Sequence, residues 1–437
     1  MNILHYSLGF PPYRTGGLTK FCMDLMKEQV KEGDKVSLLW PGEIQLFSNH
    51  TKIKKNRSID GIASFKVINP TPVSYDEGIV DIPAFTEEGD LKVYEQFLQF
   101  VRPEVIHIHT LMGLHKNFLV AAKNLGIKTV FTTHDFFPIC AKVTMFRNDM
   151  ICPDADTCES CPRCNMTALS LKKIQILQST AYRNLKDSYF VKKLRKGHRD
   201  EYLSGRELSE REPSRSADDY RKLRKYYQSL LGLMDVIHYN SSVTKEVYEK
   251  YMGERKSILI PITHGDIHDH RKKKDFSHPL KITYLGPFGG SKGFFRLKEV
   301  LDDLWKEHQD FILNVFFHKE ALPPYIRQHD RYSYSQLESI MDETDVLVSP
   351  SVLNETFGYT VIEALSYGVP VIVSNHVGAR DVIPEGTGII FDDEIGLKNA
   401  IQSLSNEKLE SMNRMILELF QVQTMNSFNR ELRANVY

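Results

Sequence analysis

The sequence lacks the features of several protein classes. No run approaches the roughly 20 apolar residues that a membrane-spanning helix needs. Its first residues, MNILHYSLGF, have neither the basic start nor the long apolar core of a secretory signal, so we expect no signal peptide. It also has no net charge, because 56 Lys and Arg balance 56 Asp and Glu, which argues against a surface built for nucleic acid. We therefore expect a cytoplasmic protein that binds no nucleic acid.

Cysteine is scarce but clustered. Four of the six cysteines lie in CPDADTCESCPRC, and they are Cys152, Cys158, Cys161 and Cys164. In a reducing compartment such clusters favour a metal site over disulfides. Four thiolates at this spacing suit a structural zinc ion, with an iron–sulfur cluster as the less favoured choice. Because four thiolates close the zinc shell, the motif predicts an ordered loop rather than a catalytic centre. Cys140 is either a substitute ligand or a bystander.

Short apolar runs alternate with helical segments along most of the 437 residues. The runs read as strands at 2–7, 36–40, 65–69, 105–110, 128–134 and 236–241 in the first half, and at 258–262, 281–286, 311–318, 346–351, 369–374 and 387–392 in the second. Nearly continuous apolar strands separated by crossover helices indicate parallel sheets buried on both faces. The length and pattern predict an α/β protein with two doubly wound domains facing across a cleft.

The polar stretch 264–278 reads as a linker. It would join an N-terminal domain (1–263) to a C-terminal domain (279–415), with 416–437 as a helix that can return to the N-terminal domain. The N-terminal domain would carry a cysteine-rich loop (140–165) and a helical insert (166–230) without strands. Nine Lys and Arg against one acid between Lys172 and Arg199 make part of this insert basic, either as a solvated helix face or as a surface for anionic lipid headgroups.

Two loops after strands could hold a nucleotide. Gly16 and Gly17 precede an amphipathic helix, where glycines allow close approach of a phosphate and the helix start offers free N–H groups, although a simple turn explains them as well. In the second half, Glu355 lies on a loop and Glu363 about two turns into a helix. Their spacing is too long for a glycosidase pair.

The same two glutamates suit a sugar nucleotide. Glu363 could bind a ribose diol and Glu355 a sugar, while backbone N–H groups of Phe357, Gly358, Tyr359 and Thr360 face a diphosphate. On spacing alone, a capping acid and a surface glutamate remain the commoner explanation.

The motif ETFGYTVIE (355–363), with VLVSPS before it and GARDVI (378–383) after it, resembles the E-x7-E signature of the retaining group 1 glycosyltransferases (glycosyltransferase family 4). PPYRTGG and KEGDKVSLL resemble that family's opening loop, helix and second strand. The matching pieces run from residue 2 to about residue 392, apart from the helical insert. The resemblance implies the GT-B fold, with an acceptor-side N-terminal domain and a nucleotide-sugar-binding C-terminal domain.

The resemblance also implies roles for single residues. Glu363 would bind the donor ribose, Glu355 the transferred sugar, and Lys292 the leaving diphosphate, because Pro287 stands where the family has an arginine. His134, at the end of KTVFTTHD, would reach the donor sugar, whereas His109 is expected to pack. Gly16 and Gly17 would cover the acceptor and diphosphate.

The family's chemistry implies no catalytic metal. Front-face attack of the acceptor would depend on positioning and on stabilising developing charge. The expected partners are a UDP- or GDP-sugar, a glycan or lipid-linked acceptor of cell-surface polysaccharide biosynthesis, and an anionic membrane surface through 172–199, which would place the protein on the inner face of the cell membrane. The alternatives are a GT-B sugar-nucleotide epimerase and a redox or binding protein centred on the cysteine cluster.

Overall fold

The fold is described from a computed structural model. It describes residues 1–11, 14–45, 48–74, 78–137, 139–147, 149–154, 157–185, 188, 212–276 and 279–437. The basic segment 172–199 lies outside the described residues from 186 onward, except for residue 188. Among the helices of the described part, none has the length and apolar character that crossing a membrane requires.

The first half of the chain builds a sheet with one antiparallel edge. Its strands, together with a small hairpin, are β1 (Asn2–Tyr6), β2 (Lys35–Pro41), β3 (Lys52–Ile59), β4 (Ile62–Ile68), β5 (Val105–Ile108), β6 (Lys128–Thr132), β7 (Phe146–Arg147), β8 (Met150–Ile151), β9 (Val236–Tyr239) and β10 (Ser257–Leu259). The described strands form an eight-stranded sheet in the order β10-β9-β6-β5-β1-β2-β4-β3, and β7 pairs with β8. All sheet neighbours are parallel except β3 and β4.

The second half builds a parallel sheet of its own. Its strands are β11 (Leu280–Tyr284), β12 (Phe311–Val315), β13 (Ile326–Gln328), β14 (Val346–Ser349), β15 (Val371–Ser374) and β16 (Gly388–Phe391). They lie in the order β13-β12-β11-β14-β15-β16, so the strand order reverses at β11 and β14. Ligands of such sheets bind beyond the carboxyl ends of the strands near this reversal.

Helices cover both sheets. In the first half they are α1 (Gly17–Lys31), α2 (Ile82–Phe85), α3 (Leu91–Val101), α4 (Lys116–Asn124), α5 (Cys161–Cys164), α6 (Leu171–Leu177), α7 (Thr180–Leu185), α8 (Ala217–Leu231) and α9 (Ser242–Met252). In the second they are α10 (Phe294–Glu307), α11 (Leu337–Asp342), α12 (Tyr359–Ser366), α13 (Glu394–Gln402), α14 (Asn406–Leu419) and α15 (Met425–Asn435). The α/β prediction with two doubly wound domains is therefore confirmed.

The sequence interpretation did not include strands β3, β7, β8 and β13. Strand β3 was missed because KIKKNRSI is polar, as suits an edge strand that keeps other chains from pairing with it. In the described part of 166–230, α6 has seven residues and α8 has fifteen, and α7 is followed by residues outside the described part.

One hydrophobic cluster joins the two halves. Phe21 and Leu25 of α1 pack in the same cluster as Val361 of α12 and Phe428 of α15. Helix α15 lies against α1, and the rings of Phe21 and Phe428 meet edge to face at 5.5 Å between centroids. The carboxyl ends of both sheets are thus held close to one another.

Candidate active site

The loop before α12 is shaped by one glycine. Gly358 has φ 100°, a conformation that side chains rarely adopt, and a Cβ there would meet Val377 Cγ1 at 2.6 Å. The helix then starts at Tyr359 without a side-chain cap. Its first N–H groups, those of Tyr359 and Thr360, have no acceptor within the helix and lie at its positive end, while Phe357 beside them is buried.

Glu363 lies one turn into α12, not two, because the helix begins at Tyr359. Its carboxylate is buried, and Oε1 lies 3.0 Å from Nε2 of the buried His264. The backbone N–H of Asp266 donates to Nδ1 of His264, so Nε2 carries the proton and donates to Glu363. The hydroxyl of Tyr334 also contacts this carboxylate. Glu363 is therefore held in one orientation, with further lone pairs available to a ligand.

Glu355 and Lys292 meet at the loop. Lys292 Nζ lies 3.0 Å from Glu355 Oε2. Gly293 makes this possible, because it has φ 78° and a Cβ there would lie 1.7 Å from the carbonyl oxygen of Pro350. Glu355 is fixed through its backbone, which donates to the carbonyl of His376 and accepts from the N–H of Gly378.

The glycine pair faces this site from the other half of the chain. Gly16 has φ 118°, and α1 begins at Gly17 without a side-chain cap. A Cβ at Gly17 would lie 3.2 Å from the ring of Tyr359. Two uncapped helix starts, of α1 and α12, therefore converge, which is an arrangement suited to an anion.

His134 also borders the site, two residues after the end of β6. Its carbonyl accepts a hydrogen bond from Thr356 Oγ1 at 3.1 Å, so the two halves touch here. Its ring packs on Phe21, with 4.8 Å between centroids, and burial lowers its pKa to about 3. The imidazole is therefore neutral. Burial raises the pKa of the neighbouring Asp135 to about 7, partly offset by the hydrogen bond from the N–H of Phe137.

All six cysteines are free thiols. A hydrogen bond between Cys158 and Cys161 lowers the pKa of Cys158 and raises that of Cys161. Burial raises the pKa of Cys140 to about 11, and the nearby Cys164 and Cys152 raise it further. Cys158 and Cys140 in turn raise the pKa of Cys161, so the five cysteines lie near one another. Among the described residues, the metal-capable group whose ligand atoms all lie within 4.8 Å is instead His5, His107 and His109.

The sequence predicted that one site contains Glu355, Glu363, Lys292, His134 and the glycine pair. In the structure these residues lie around one cleft. The sequence prediction missed His264 and Tyr334, which hold Glu363. Their only sequence signal was position: His264 begins the polar linker stretch, and Tyr334 lies in a segment that the strand pattern left unassigned.

Two family models match the chain. One, described as Glycosyltransferase Family 4, matches residues 15–153, and the other, described as Glycosyl transferases group 1, matches residues 266–418. A comparison with curated proteins finds no match.

Solved structures share the fold over the whole chain. Sucrose-phosphate synthase from Thermosynechococcus elongatus has a TM-score of 0.56 at 14% identity, covering 99% of this chain and 97% of that one. An E. coli trehalose-6-phosphate protein bound with UDP-2-fluoro glucose has 0.54 at 10% identity, with 99% and 98% covered. Anabaena HepE in complex with UDP has 0.54 at 12% identity, with both chains fully covered. With both halves matched by family models and the two-domain fold shared, the chain belongs to the group 1 glycosyltransferases and has the GT-B fold.

Proposed function

We propose that this glycosyltransferase moves a hexose, with retention at the anomeric carbon, from a UDP- or GDP-sugar to a glycan or lipid-linked acceptor. The observation that carries the proposal is Glu363: a buried carboxylate, oriented by His264 and Tyr334, one turn from the uncapped start of α12. Such a carboxylate binds a ribose diol while the helix start binds the diphosphate. Neighbours solved with UDP and with UDP-2-fluoro glucose support a nucleotide-sugar donor.

The nucleobase has a candidate pocket next to this carboxylate. A cavity of about 270 Å³ is lined by Thr283, Asn314, His329, Tyr332 and Gln336, among others. Its wall at Tyr332 is two residues from Tyr334, which contacts Glu363. A base in this cavity would therefore place its ribose at Glu363.

Catalysis in this proposal needs no catalytic metal. The acceptor hydroxyl oxygen bonds to the anomeric carbon on the face from which the diphosphate leaves, and its proton passes to the departing diphosphate. Lys292 and the N–H groups at the start of α12 stabilise the charge that develops there. Glu355, paired with Lys292, orients the sugar, and His134 reaches it from the N-terminal domain.

The acceptor would approach from the N-terminal domain. Nine basic residues against one acid in 172–199 support a surface that docks on anionic lipid headgroups, where each basic residue contributes about 1 kcal/mol. We propose on this basis a peripheral enzyme on the inner face of the cell membrane, acting in cell-surface polysaccharide biosynthesis.

We further propose that Cys152, Cys158, Cys161 and Cys164 hold a structural zinc ion. The C-x5-C-x2-C-x2-C spacing and the proximity of the five cysteines support it. The hydrogen bond with Cys161, and then Arg224, lower the pKa of Cys158, whereas burial raises the pKa of Cys164 and is only partly offset by Lys142 and Arg147. These three cations would favour the thiolates that a metal needs. The ion would order the loop that follows the strand end at His134.

The donor assignment is tested by Glu363→Gln. Calorimetry with UDP and GDP should show binding to the wild type and about tenfold weaker binding to the variant, because an amide is a poorer acceptor for two ribose hydroxyls. Glu410→Gln, on the exposed surface of α14, is the matched control and should bind as the wild type does. Unchanged affinity in Glu363→Gln would contradict the ribose role, and a sugar altered but still attached to its nucleotide would identify an epimerase instead.

The zinc assignment is tested by Cys161→Ser. The wild type should contain about one zinc per chain by elemental analysis, and the variant should lose it. We expect the variant to unfold at lower temperature and to use the acceptor poorly while its UDP affinity is retained. A folded wild type without metal, or a visible iron–sulfur absorption band, would overturn the zinc assignment.

A further inference from the structure

Five histidines line one face of the first sheet, beneath α1 and α15. They are His5, His107, His109, His134 and His238. His5 pairs with His107 across β1 and β5, and Thr132 pairs with His238 across β6 and β9. Burial lowers the pKa of each histidine, to about 4 for His5 and His238. The rings are therefore neutral, and each carries one N–H and one acceptor nitrogen.

The proton positions follow from one end of this network. His238 Nε2 lies 2.8 Å from the carbonyl oxygen of Ile260, which can only accept, so Nε2 carries the proton. Nδ1 of His238 must then accept from Thr132 Oγ1, at 2.8 Å. Since the single hydroxyl proton is used there, Thr132 accepts from His107 Nε2 at 2.6 Å.

Tyr437 and Gln29 continue the chain. Nδ1 of the neutral His107 accepts from the Tyr437 hydroxyl at 2.7 Å. The oxygen of Tyr437 accepts from the amide nitrogen of Gln29 at 3.1 Å. The amide oxygen of Gln29 then faces His5 Nε2 at 2.7 Å and can only accept, so His5 donates from Nε2.

The chain ends at the cleft. Nδ1 of His5 accepts from His109 Nε2 at 2.9 Å, and Nδ1 of His109 accepts from His134 Nε2 at 3.3 Å. The proton of His134 is therefore on Nε2, and its Nδ1 is the acceptor. Among the described residues, none forms a hydrogen bond with this Nδ1. Each bond has the same donor and acceptor whether the assignment starts from the carbonyl of Ile260 or from the amide of Gln29.

The alternative is a metal ion at His5, His107 and His109, whose ligand atoms lie within 4.8 Å of one another. Each of these three rings uses both nitrogens in the chain of hydrogen bonds. A metal would have to displace those bonds in a fully buried site. The geometry favours the hydrogen-bond chain.

We propose that Gln29 and Tyr437 are positioning residues that fix His134 as the Nε2–H tautomer, so that its Nδ1 accepts a hydrogen bond from a hydroxyl group of the donor sugar. The inference rests on the proposed function in that it uses His134 as the residue that reaches this sugar. An acceptor fixed in advance selects a hydroxyl at that point and needs no reorganisation when the donor binds.

The tautomers are tested first by long-range ¹H–¹⁵N correlation spectra of histidine-labelled wild-type protein. Five neutral rings protonated at Nε2 are expected, assigned by single His→Gln variants. An Nδ1–H or doubly protonated ring at His134, or metal-bound signals from the histidine trio, would overturn the proposal. This measurement decides the tautomer even if no nucleotide binds, so its failure and that of the proposed function are distinguishable.

The positioning role is tested with Gln29→Leu, which removes the acceptor that orients His5. Calorimetry measures the affinity for each nucleotide sugar divided by the affinity for its bare nucleotide. The nucleotide sugars are UDP-glucose, UDP-galactose, UDP-N-acetylglucosamine and GDP-mannose. For the best donor we expect this ratio to fall about tenfold in Gln29→Leu, as in His134→Ala, while affinity for the bare nucleotide is kept. Gln29→Glu should keep the wild-type ratio, because a carboxylate oxygen, like the amide oxygen of Gln29, can only accept the hydrogen bond from His5 Nε2.

Thr132→Val is the matched control. It breaks a buried hydrogen bond of the same network on the far side of Tyr437, so it should lower thermal stability yet leave the His134 tautomer and the affinity ratio unchanged. If Gln29→Leu does not fold, Tyr437→Phe, which frees the Gln29 amide to rotate, takes its place. A ratio unchanged in His134→Ala, or lowered equally by Thr132→Val, would overturn the positioning role.

Discussion

At the scale of single residues, the site depends on glycines that no other residue can replace. Lys292 reaches Glu355 because Gly293 lies against the carbonyl of Pro350 with no room for a Cβ. Gly358 likewise permits the turn that frees the start of α12. The Lys292–Glu355 pair is partly exposed, with 34% and 15% of the side chains accessible. We therefore expect it to add little to the free energy of unfolding and to matter for function instead.

Lys292→Gln should lower the transfer rate by roughly two to three orders of magnitude, because Lys292 is the cation that we propose to stabilise the leaving diphosphate and Pro287 supplies no guanidinium. The rate is measured with the donor found in the binding screen. Lys298→Gln, which removes a lysine paired within α10, is the control and should turn over normally. A variant at position 292 with the wild-type rate would show that the diphosphate charge is stabilised elsewhere.

At the scale of elements, several strands of the first sheet have buried polar side chains. His5, His107 and His238 are fully buried on β1, β5 and β9, where an apolar run would be usual for a parallel sheet. They are tolerated because each buried nitrogen has a hydrogen-bond partner. The covering helix α15 supports this layer by packing Phe428 against Phe21 and His238.

These histidines predict a pH dependence of folding stability. Burial holds the folded pKa at about 4 for His5 and His238 and about 3 for His134, whereas an unfolded histidine titrates near 6.5. Below about pH 6.5 the unfolded chain therefore binds more protons, and stability falls as the pH falls, by about 1.4 kcal/mol per pH unit for each such histidine. Asp135, whose pKa is raised to about 7 in the folded protein, has the opposite effect on stability, but it is only one group.

Urea unfolding at about pH 7 and about pH 5 checks this expectation. The free energy of unfolding should be several kcal/mol lower at the acidic value, and His238→Gln should reduce the difference. His318, which is 62% exposed, supplies the control, since His318→Gln should leave the difference unchanged. Equal stability at both pH values would contradict neutral buried rings.

At the scale of the whole molecule, the two domains are joined by polar contacts beside the site as well as by the shared hydrophobic cluster. Asp381 accepts from the backbone N–H and the hydroxyl of Ser242, at 2.5 and 2.6 Å, and so ties the second domain to the start of α9. Arg380 donates to Glu246 on the same helix at 2.8 Å. These contacts lie close along the chain to Gly378, whose N–H donates to the carbonyl of Glu355.

Asp381→Ala should therefore loosen the closed arrangement. We expect UDP affinity to be retained, because the proposed nucleotide contacts lie in the second domain, while the transfer rate falls on the order of tenfold to a hundredfold. Small-angle scattering should show a larger radius of gyration. Asp303→Ala, on an exposed face of α10, should change neither quantity. An unchanged rate and radius would show that the hydrophobic cluster alone holds the domains.

The sequence by itself determined the features that depend on neighbours along the chain. Apolar runs at strand spacing predicted most strands of both sheets, and ETFGYTVIE predicted a helix start with a carboxylate behind it, because helix geometry is local. The position of Glu363 within α12 was misjudged by one turn, since the left-handed turn at Gly358 delays the helix to Tyr359.

Only the tertiary structure decided the partners of these residues. Glu363 and His264 are 99 residues apart, His107 and Tyr437 are 330 apart, and Thr356 and His134 are 222 apart. A pattern read along the chain holds no information on which distant donors meet, because that is decided by how parallel strands align and by how α15 packs on α1. The motifs in the sequence therefore identified the candidate site residues, whereas the orientation of their side chains depends on how the sheets and helices pack.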